Sequence, residues 1–311
     1  MRLLYIGGYP RSGSTILSRL IGQVKGFADI GELANVWRVL DRGWGLCGCG
    51  VGVAGCPLWA EVLGDLEGWR DRGRGFEPEA IRALVAAAQE VDNPRRFLRA
   101  LARGKLDQNQ LRYGNFLGKL YRRISSVTGA ETLVDSSKDP WWAAYAASAG
   151  VEVLFLHLVR DPRAVYHSRL RSRRMAGLSA DSMLSTMKVA AGWAGVNVMA
   201  HGTRRLGISS YARTTYESIM SSPQPSLRRL LKELGAGDQT VPMINARLAI
   251  IRPGHTISGN PSRFQQGAVP LDLDQAWRSG LKWGKRATVM AVAGPIWWTL
   301  RRSGTTPPIE H

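Results

Sequence analysis

The chain has 311 residues, of which 44% are hydrophobic and 21% are charged, and this balance excludes a disordered or fibrous protein. Lysine and arginine number 42 against 24 aspartates and glutamates, so the formal net charge is +18. Such an excess favours phosphate esters, nucleic acids, acidic glycans or anionic membranes as partners without choosing among them, although an ordinary basic surface has the same composition.

Strands and helices alternate along the chain, which predicts a parallel sheet joined by crossover helices. The predicted strands are residues 3–9, 27–30, 132–134, 151–159 and 208–212, and the fourth is apolar enough to be covered on both faces. The predicted helices are residues 14–24, 141–149, 181–201, 227–234 and 273–283, together with one that starts at Pro162.

This order of elements predicts the α/β class, with an open parallel sheet of the phosphate-loop type and helices on both faces. We expect one domain over residues 1–311, with a basic helical insertion at about 60–125 and a helical C-terminal segment at about 272–302. Residues 43–57, rich in glycine and cysteine, are predicted to be a loop.

Two apolar segments bear on location. The one at the N-terminus is about one strand long and is followed at once by glycines, unlike a secretory signal peptide. Residues 287–300 come nearest to a membrane span, but they are fewer than the roughly 20 that a span needs and contain Gly294 and Pro295. We expect a cytoplasmic protein in which this segment packs on the body, with peripheral membrane contact as the alternative.

Residues 8–15 have the spacing of the phosphate loop GxxxxGK[ST], except that Ser14 stands in place of the lysine. Backbone N–H groups and the helix N-terminus would bind a phosphate there, while Ser12, Ser14 and Thr15 add hydroxyl donors and Arg11 adds a positive charge. The missing lysine normally contacts the β- and γ-phosphates of a nucleoside triphosphate, so its absence argues against an ATPase or kinase and for a single phosphate. The alternative is a Gly/Ser turn without a ligand.

A second anion site is predicted after the strongest strand. Asp161 and Pro162 suit the N-cap and first position of a helix, which places Arg160 at the carboxyl end of a parallel strand, where ligands bind in open α/β sheets. Arg160 with Ser168 would bind another phosphate, unless Arg160 forms an ion pair with Asp161 or a neighbour. Two such sites on one edge suggest a nucleotide with phosphates at both ends of its ribose.

Four segments then carry a family resemblance: YPRSGSTILSRLIG, GE at 31–32, DSSKDP at 135–140 and HLVRDPRAVYHS at 157–168. Over roughly residues 1–40 and 130–265 the chain resembles the sulfotransferases that use 3′-phosphoadenosine-5′-phosphosulfate (PAPS), above all bacterial members and the branch containing the tyrosylprotein sulfotransferases. The resemblance implies the sulfotransferase fold, PAPS as co-substrate, and transfer of a sulfuryl group to a hydroxyl of a glycan, lipid, tyrosine or small molecule.

The resemblance also implies the donor-binding residues. In that family the first loop binds the 5′-phosphosulfate and the Arg…Ser pair binds the 3′-phosphate, and these functions fall on Arg11, Ser12, Gly13, Ser14, Thr15, Arg160 and Ser168. Many cytosolic relatives have lysine at the place of Arg11, whereas arginine fits the tyrosylprotein and bacterial branches. The segment GNPSRF at 259–264 looks like the one that closes over the 3′ end, which adds Asn260 and Arg263.

The catalytic residues follow from the same resemblance. A glutamate at the place of Glu32 is the general base in the resembled branch, and Lys138 matches a catalytic lysine that neutralises the leaving group. Arg11 and Ser14 would stabilise the transition state. A surface glutamate and an exposed loop lysine are the alternatives, and His255, in a polar loop, is the reserve base. His157 lies in an apolar strand and is predicted to be a core histidine.

The three cysteines, Cys47, Cys49 and Cys56, lack a nearby fourth ligand and the usual CxxC spacing of zinc sites. We therefore expect unpaired loop thiols and no metal, with a metal site or a disulfide as alternatives. Two other functions stay open: a phosphate-loop nucleotide or small-molecule kinase, and a non-catalytic basic nucleic-acid-binding module. No recognised nucleic-acid motif supports the latter, so nucleic acid is not an expected partner.

Overall fold

The computed structural model describes residues 1–41, 45–64, 78–177, 182–237 and 240–301. Its central sheet has five strands in the order β2-β3-β1-β4-β5, and every neighbouring pair is parallel. The strands are β1 (Arg2–Gly7), β2 (Phe27–Gly31), β3 (Thr132–Lys138), β4 (Glu152–Val159) and β5 (Ser210–Thr215). Because β1 lies at the centre with connections leaving to both sides, its carboxyl end is the place where such sheets bind ligands.

Helices cover both faces of this sheet, as the alternation of elements predicted. Four of them, α3 to α6, lie in the region of the predicted helical insertion at about 60–125, of which residues 65–77 lie outside the described residues. The helices are α1 (Ser14–Ile21), α2 (Val36–Asp41), α3 (Pro57–Gly64), α4 (Pro78–Val91), α5 (Pro94–Arg103), α6 (Gln108–Thr128), α7 (Pro140–Ser148), α8 (Pro162–Met175), α9 (Met183–Gly202), α10 (Tyr216–Ser221), α11 (Pro223–Glu233), α12 (Trp277–Gly280) and α13 (Trp283–Arg301).

Side chains of the central strands alternate between two hydrophobic clusters, as the pleat of a strand requires. Leu3 and Tyr5 of β1 pack with the helices of the insertion and α7, whereas Leu4 and Ile6 pack with α1, α10 and α11. Strand β4 divides its side chains in the same way. The near-continuous apolar sequence of residues 151–159 is therefore explained by burial on both faces.

A third cluster joins α8, α9 and α13 through residues that include Val165, Trp193 and Trp297. Helix α13 contains the apolar residues 287–300 and packs on the body of the protein, as expected. Among the described residues, no helix is both long enough and apolar enough to cross a membrane.

Several segments differ from the sequence prediction. Strand β3 extends to Lys138 and includes the DSSK segment, which the prediction placed after the strand. A small antiparallel sheet was not foreseen; its strands are β6 (Met243–Asn245), β7 (Leu248–Ile251) and β8 (Gly267–Pro270). Of the predicted 43–57 loop, residues 43 and 44 lie outside the described residues, 53–55 form a 3-10 turn, and α3 begins at Pro57.

The predicted helix at 273–283 is wrong, because only Trp277–Gly280 is helical before α13 begins at Trp283. The side chain of Tyr216, on α10, instead forms hydrogen bonds with backbone groups that a helix would have paired internally. The Tyr216 hydroxyl donates to the carbonyl of Asp272 at 3.3 Å and accepts from the amide of Asp274 at 3.3 Å. These tertiary contacts keep residues 272–274 out of a helix and place Asp274 beside Arg160, the residue that follows β4.

Candidate functional site

The loop between β1 and α1 is tightly confined, which explains its glycines. Gly8 has a φ of +145°, and a Cβ there would lie 2.3 Å from the carbonyl oxygen of Leu158; at Gly13 (φ +90°) it would lie 2.6 Å from Cδ2 of Tyr216. The Gly8 amide donates to the carbonyl of Lys138 at 2.9 Å. The loop is thus packed between the carboxyl ends of β3 and β4.

The loop also contacts the segment after β4. Nη1 of Arg160 donates to the carbonyl of Arg11 at 3.0 Å, and Nε of Arg11 donates to Oγ of Ser168 at 3.1 Å. Asp161 pairs with Arg163 at 2.6 Å and caps α8, so the ion pair of Arg160 that was the alternative forms with Asp274 instead. The two predicted phosphate segments therefore lie at one edge of the sheet.

Asp274 is a member of this site that the sequence did not reveal. Its Oδ2 lies 3.1 Å from Nη2 of Arg160 and 3.1 Å from Nη2 of Arg171. Burial opposes ionisation, but the Ala276 amide and the two guanidinium groups outweigh it, so the pKa of Asp274 lies below its usual value. One carboxylate thus neutralises part of a cluster of cations.

The cationic character of the site is visible at Arg11, Arg160 and Arg171. Burial, with the charges of Arg160 and Arg171, lowers the pKa of Arg11. Arg160 also stacks over the ring of Tyr216 at 4.2 Å, and its buried Nε has no hydrogen-bond partner among the described residues. Buried polar atoms are almost always paired, so this guanidinium has bonding capacity for an anion.

Glu32 and Lys138 form an ion pair at the neighbouring carboxyl ends of β2 and β3. Asn35 Nδ2 donates to Oε2 of Glu32 at 3.0 Å, and Nζ of Lys138 donates to the carbonyl of Ser136 at 3.1 Å. The two side chains are 14% and 13% exposed, and both residues line the cavity described below. A carboxylate and an ammonium group are thereby held together beside the phosphate-type loop.

Backbone strain is concentrated in the same place. Arg11 (φ +75°) and Lys138 (φ +76°) are the only non-glycine residues with positive φ in the described part of the chain. Such conformations cost of order 1–3 kcal/mol and persist where the surroundings enforce them, often at functional sites. The two strained residues are both predicted catalytic residues.

Buried hydrogen bonds fix the position of the DSSK segment. Asp135 accepts hydrogen bonds from Tyr121 at 2.7 Å and from the amide of Ser137 at 2.7 Å, while burial raises the pKa of Asp135 to about 6. The Ser137 hydroxyl accepts a hydrogen bond from the Ala34 amide at 3.0 Å. Strand β3 and the turn after Glu32 are thus fixed to each other.

Residues 252–265, called the 252–265 wall, run beside α1 toward Glu32, and residues 259–262 and 265 of this segment line the site. The guanidinium of Arg19, on α1, donates to the carbonyls of Arg252, Ser262 and Gln265. A Cβ at Gly259 (φ +138°) would lie 3.4 Å from Oε1 of Glu32. Backbone hydrogen bonds from a buried arginine therefore position this segment beside the ion pair.

Together these elements enclose a cavity of about 830 Å³. Most of the predicted site residues line it: Arg11, Gly13, Ser14, Thr15, Glu32, Lys138, Arg160, Ser168 and Asn260. Its wall also includes residues that sequence reasoning did not single out: Asn35, Arg38, Asp92, Asp139, Trp142, Arg171 and Asp274. Asp139 lies in the DSSKDP segment but had no assigned role, and the other residues lie in segments without a motif, so no sequence pattern identified them.

Four predicted or considered residues lie elsewhere. Ser12 donates from Oγ to the carbonyl of Tyr9 at 2.7 Å, and Arg263 donates from Nη2 to the carbonyl of Leu46 at 2.8 Å. His255 lies among the three cysteines. His157 is a core histidine, as predicted: its Nδ1 and Nε2 contact Tyr211 and Asn197 at 2.7 and 2.8 Å, and burial lowers its pKa to about 3.

Comparison with known proteins agrees with this architecture. A family model described as "Sulfotransferase family" matches residues 4–239. The structure is similar to that of a sulfotransferase domain from the curacin biosynthetic pathway, with a TM-score of 0.51 and 16% sequence identity over 95% of this chain and 97% of that one. At this identity the structural likeness bears on the fold alone. No curated protein sequence matches the chain significantly. The family match over most of the chain shows that this protein belongs to the sulfotransferase family.

Proposed function

We propose that the protein transfers a sulfuryl group from PAPS to a hydroxyl group of an acceptor. The observation that carries the proposal is that one cavity contains the phosphate-type loop, the Arg160–Ser168 segment and the Glu32–Lys138 ion pair. Membership of the sulfotransferase family supports it independently.

The donor has two phosphate-bearing ends, and the cavity has two groups of anion-binding residues. We assign the 5′-phosphosulfate to the loop, with the N–H groups and hydroxyls of Gly13, Ser14 and Thr15. The 3′-phosphate is assigned to Arg160 and Ser168, with Arg11 between the two groups through its bond to Ser168. Asn260 is proposed to contact the nucleotide from the 252–265 wall.

Ser12 and Arg263 remain predictions as donor contacts. The Ser12 hydroxyl is used inside the loop, which leaves its backbone for a phosphate. The guanidinium of Arg263 is directed to Leu46.

For the chemical step we assign Glu32 as general base. The acceptor oxygen loses its proton to the Glu32 carboxylate and forms a bond to sulfur, while the bond from sulfur to the bridging phosphate oxygen breaks. The products are a sulfate ester and adenosine 3′,5′-bisphosphate. Removal of the proton by a positioned base contributes typically 10²–10⁴-fold to such reactions.

Lys138 is assigned to the leaving group. Its ammonium pairs with Glu32 in this structure, and this ion pair occupies the carboxylate that is assigned to accept the proton. We propose that Lys138 turns to the bridging oxygen as negative charge develops there, which stabilises the leaving group and frees Glu32 to accept the proton. Arg11 and Ser14 stabilise charge on the transferring group.

Ligand binding separates this function from the two alternatives. In a thermal-shift comparison, adenosine 3′,5′-bisphosphate should stabilise the protein more than ATP with Mg²⁺ or a single-stranded oligonucleotide. Preference for ATP with Mg²⁺ would favour the kinase, and salt-dependent stabilisation by the oligonucleotide alone would favour the nucleic-acid module. A screen of hydroxyl acceptors with labelled PAPS then tests the transfer itself.

A further inference from the structure

Folding brings a fourth metal-ligand side chain to the three cysteines. Cys47, Cys49 and Cys56 lie about 200 residues before His255 in the sequence, yet their three Sγ atoms and His255 Nδ1 all lie within 4.8 Å of one another. The expectation that these thiols lack a fourth ligand rested on sequence proximity, and the structure corrects it.

The distances inside the cluster are those of a tetrahedral metal site. A zinc ion with bonds of about 2.3 Å to sulfur and about 2.0 Å to nitrogen sets S···S edges near 3.8 Å and S···N edges near 3.5 Å. Cys49 Sγ lies 3.8 Å from Cys56 Sγ, and His255 Nδ1 lies 3.2 Å from Cys56 Sγ and 3.7 Å from Cys47 Sγ. A disulfide needs a sulfur separation of about 2.0 Å, so the cysteines are free thiols here.

The backbone around the cluster holds the two segments at close range. The Gly48 amide donates to the carbonyl of Thr256 at 2.8 Å, and a Cβ at Gly48 would lie 2.4 Å from the Thr256 hydroxyl oxygen. Nε1 of Trp59 donates to the carbonyl of His255 at 3.0 Å. The ligand-bearing segments are therefore positioned by contacts outside the cluster, as is usual around metal sites.

Charge balance also suits a metal with three thiolates. A divalent ion with three thiolates and a neutral histidine has a net charge of −1. Nη2 of Arg263 donates to the carbonyl of Leu46, the residue before Cys47, at 2.8 Å. The buried Nε and Nη1 of Arg263 have no hydrogen-bond partner among the described residues. Arg263 thus offers a counter-charge and N–H donors to the thiolates.

We propose that Cys47, Cys49, Cys56 and His255 bind one Zn²⁺ ion as a structural site. Four protein ligands close the coordination sphere, and a tetrahedral S₃N donor set is typical of structural zinc. Cys47 and Cys56 are fully buried, and none of the four residues lines the 830 Å³ cavity. The proposal does not depend on the sulfuryl-transfer function.

The ion would act on the active site only through the backbone. The Ile257 amide donates to the carbonyl of Ile30 at 3.1 Å, and Gly259 adjoins Glu32. Zinc at His255 would therefore clamp the first residues of the 252–265 wall onto residues 45–56. Metal binding of this kind contributes directly to folding free energy.

Metal analysis of the full chain, purified under reducing conditions without chelator, tests the proposal. We expect about one zinc per chain by elemental mass spectrometry. Cys49→Ser and His255→Ala should each lower the zinc content at least fivefold, whereas the control His201→Ala should keep it. Zinc retained in both ligand variants would overturn the proposal.

Cobalt substitution of the wild-type chain provides a test that does not rely on the folding of a variant. After removal of zinc and addition of Co²⁺, we expect the visible absorption of tetrahedral cobalt and thiolate-to-cobalt charge-transfer bands. The absence of stoichiometric zinc together with the absence of these bands would overturn the proposal. A Cys49–Cys56 disulfide in protein isolated without oxidant would overturn it as well.

Discussion

Arg160 donates a hydrogen bond from Nη1 to the carbonyl of Arg11 at 3.0 Å, which joins the segment after β4 to the loop after β1. The two residues are 149 positions apart in the chain. Both follow neighbouring strands of a parallel sheet, so their meeting is a consequence of topology. This contact brings the two proposed phosphate-binding groups into one cavity.

Replacing the proposed base should abolish transfer without abolishing donor binding. Glu32→Gln keeps the size of the side chain but removes its ability to accept a proton, so we expect kcat to fall by roughly 10²–10⁴-fold. Affinity for adenosine 3′,5′-bisphosphate should stay within about threefold, since the phosphate groups contact other residues.

Steady-state assays with labelled PAPS and calorimetric titration with the bisphosphate check this prediction. Glu233→Gln is the matched control, because Glu233 lies on α11 beside Arg229 and does not line the cavity. A Glu32→Gln enzyme with the wild-type rate would show that another group removes the proton.

Removing the Asp274 carboxylate should tighten nucleotide binding. Asp274 lies 3.1 Å from both Arg160 and Arg171, so it competes with a phosphate for these cations. We expect Asp274→Asn to lower the Kd of adenosine 3′,5′-bisphosphate about tenfold, or ~1.4 kcal/mol.

Asp272→Asn is the control, since it removes the same charge from an exposed side chain two positions earlier. If Asp274→Asn binds the bisphosphate no more tightly than wild type, the prediction is wrong, and the carboxylate instead positions the arginines for the ligand. Calorimetric titration measures both variants.

His157 should make the protein sensitive to mild acid. Burial lowers its pKa to about 3 in the folded state, whereas an unfolded histidine titrates near 6.5. The unfolded state therefore binds the additional proton, and stability that is present above pH 6.5 is lost as the pH falls toward 3.

Urea unfolding at pH 7.5 and pH 5 tests this in wild type and His157→Gln. The variant is expected to have a lower free energy of unfolding than wild type at both pH values. The decrease in its free energy of unfolding from pH 7.5 to pH 5 should, however, be smaller than that of wild type by about 2 kcal/mol. Equal losses in the two proteins would contradict a neutral buried His157. Groups titrating elsewhere, including Asp135, affect both proteins alike and cancel in the comparison.

The sequence was informative where a functional residue lies next to a strand end or a turn motif. The glycines at 8 and 13 and the Asp161-Pro162 cap could be interpreted locally, because these residue types are required by backbone geometry at that point. Strand β4 was predictable from its apolar residues, and the order of elements indicated a parallel sheet.

Residues that depend on distant contacts could not be predicted. Asp274 lies in a segment whose sequence pattern is helical. The segment is not helical there, because the Tyr216 hydroxyl, which is distant in sequence, forms hydrogen bonds with the backbone of Asp272 and Asp274. His255 has no spacing relationship with the cysteines that it joins. The small sheet of β6 to β8 has strands of three or four residues, too short to show an alternating pattern.

The most direct test of the account compares two nucleotides on wild type and Arg160→Ala. Arg160 is proposed to bind the 3′-phosphate, so its loss should weaken adenosine 3′,5′-bisphosphate at least tenfold and adenosine 5′-monophosphate by less than threefold in calorimetric titrations. Equal weakening of both nucleotides, or no binding of the bisphosphate to wild type, would contradict the claim that this cavity holds a nucleotide by its two phosphates.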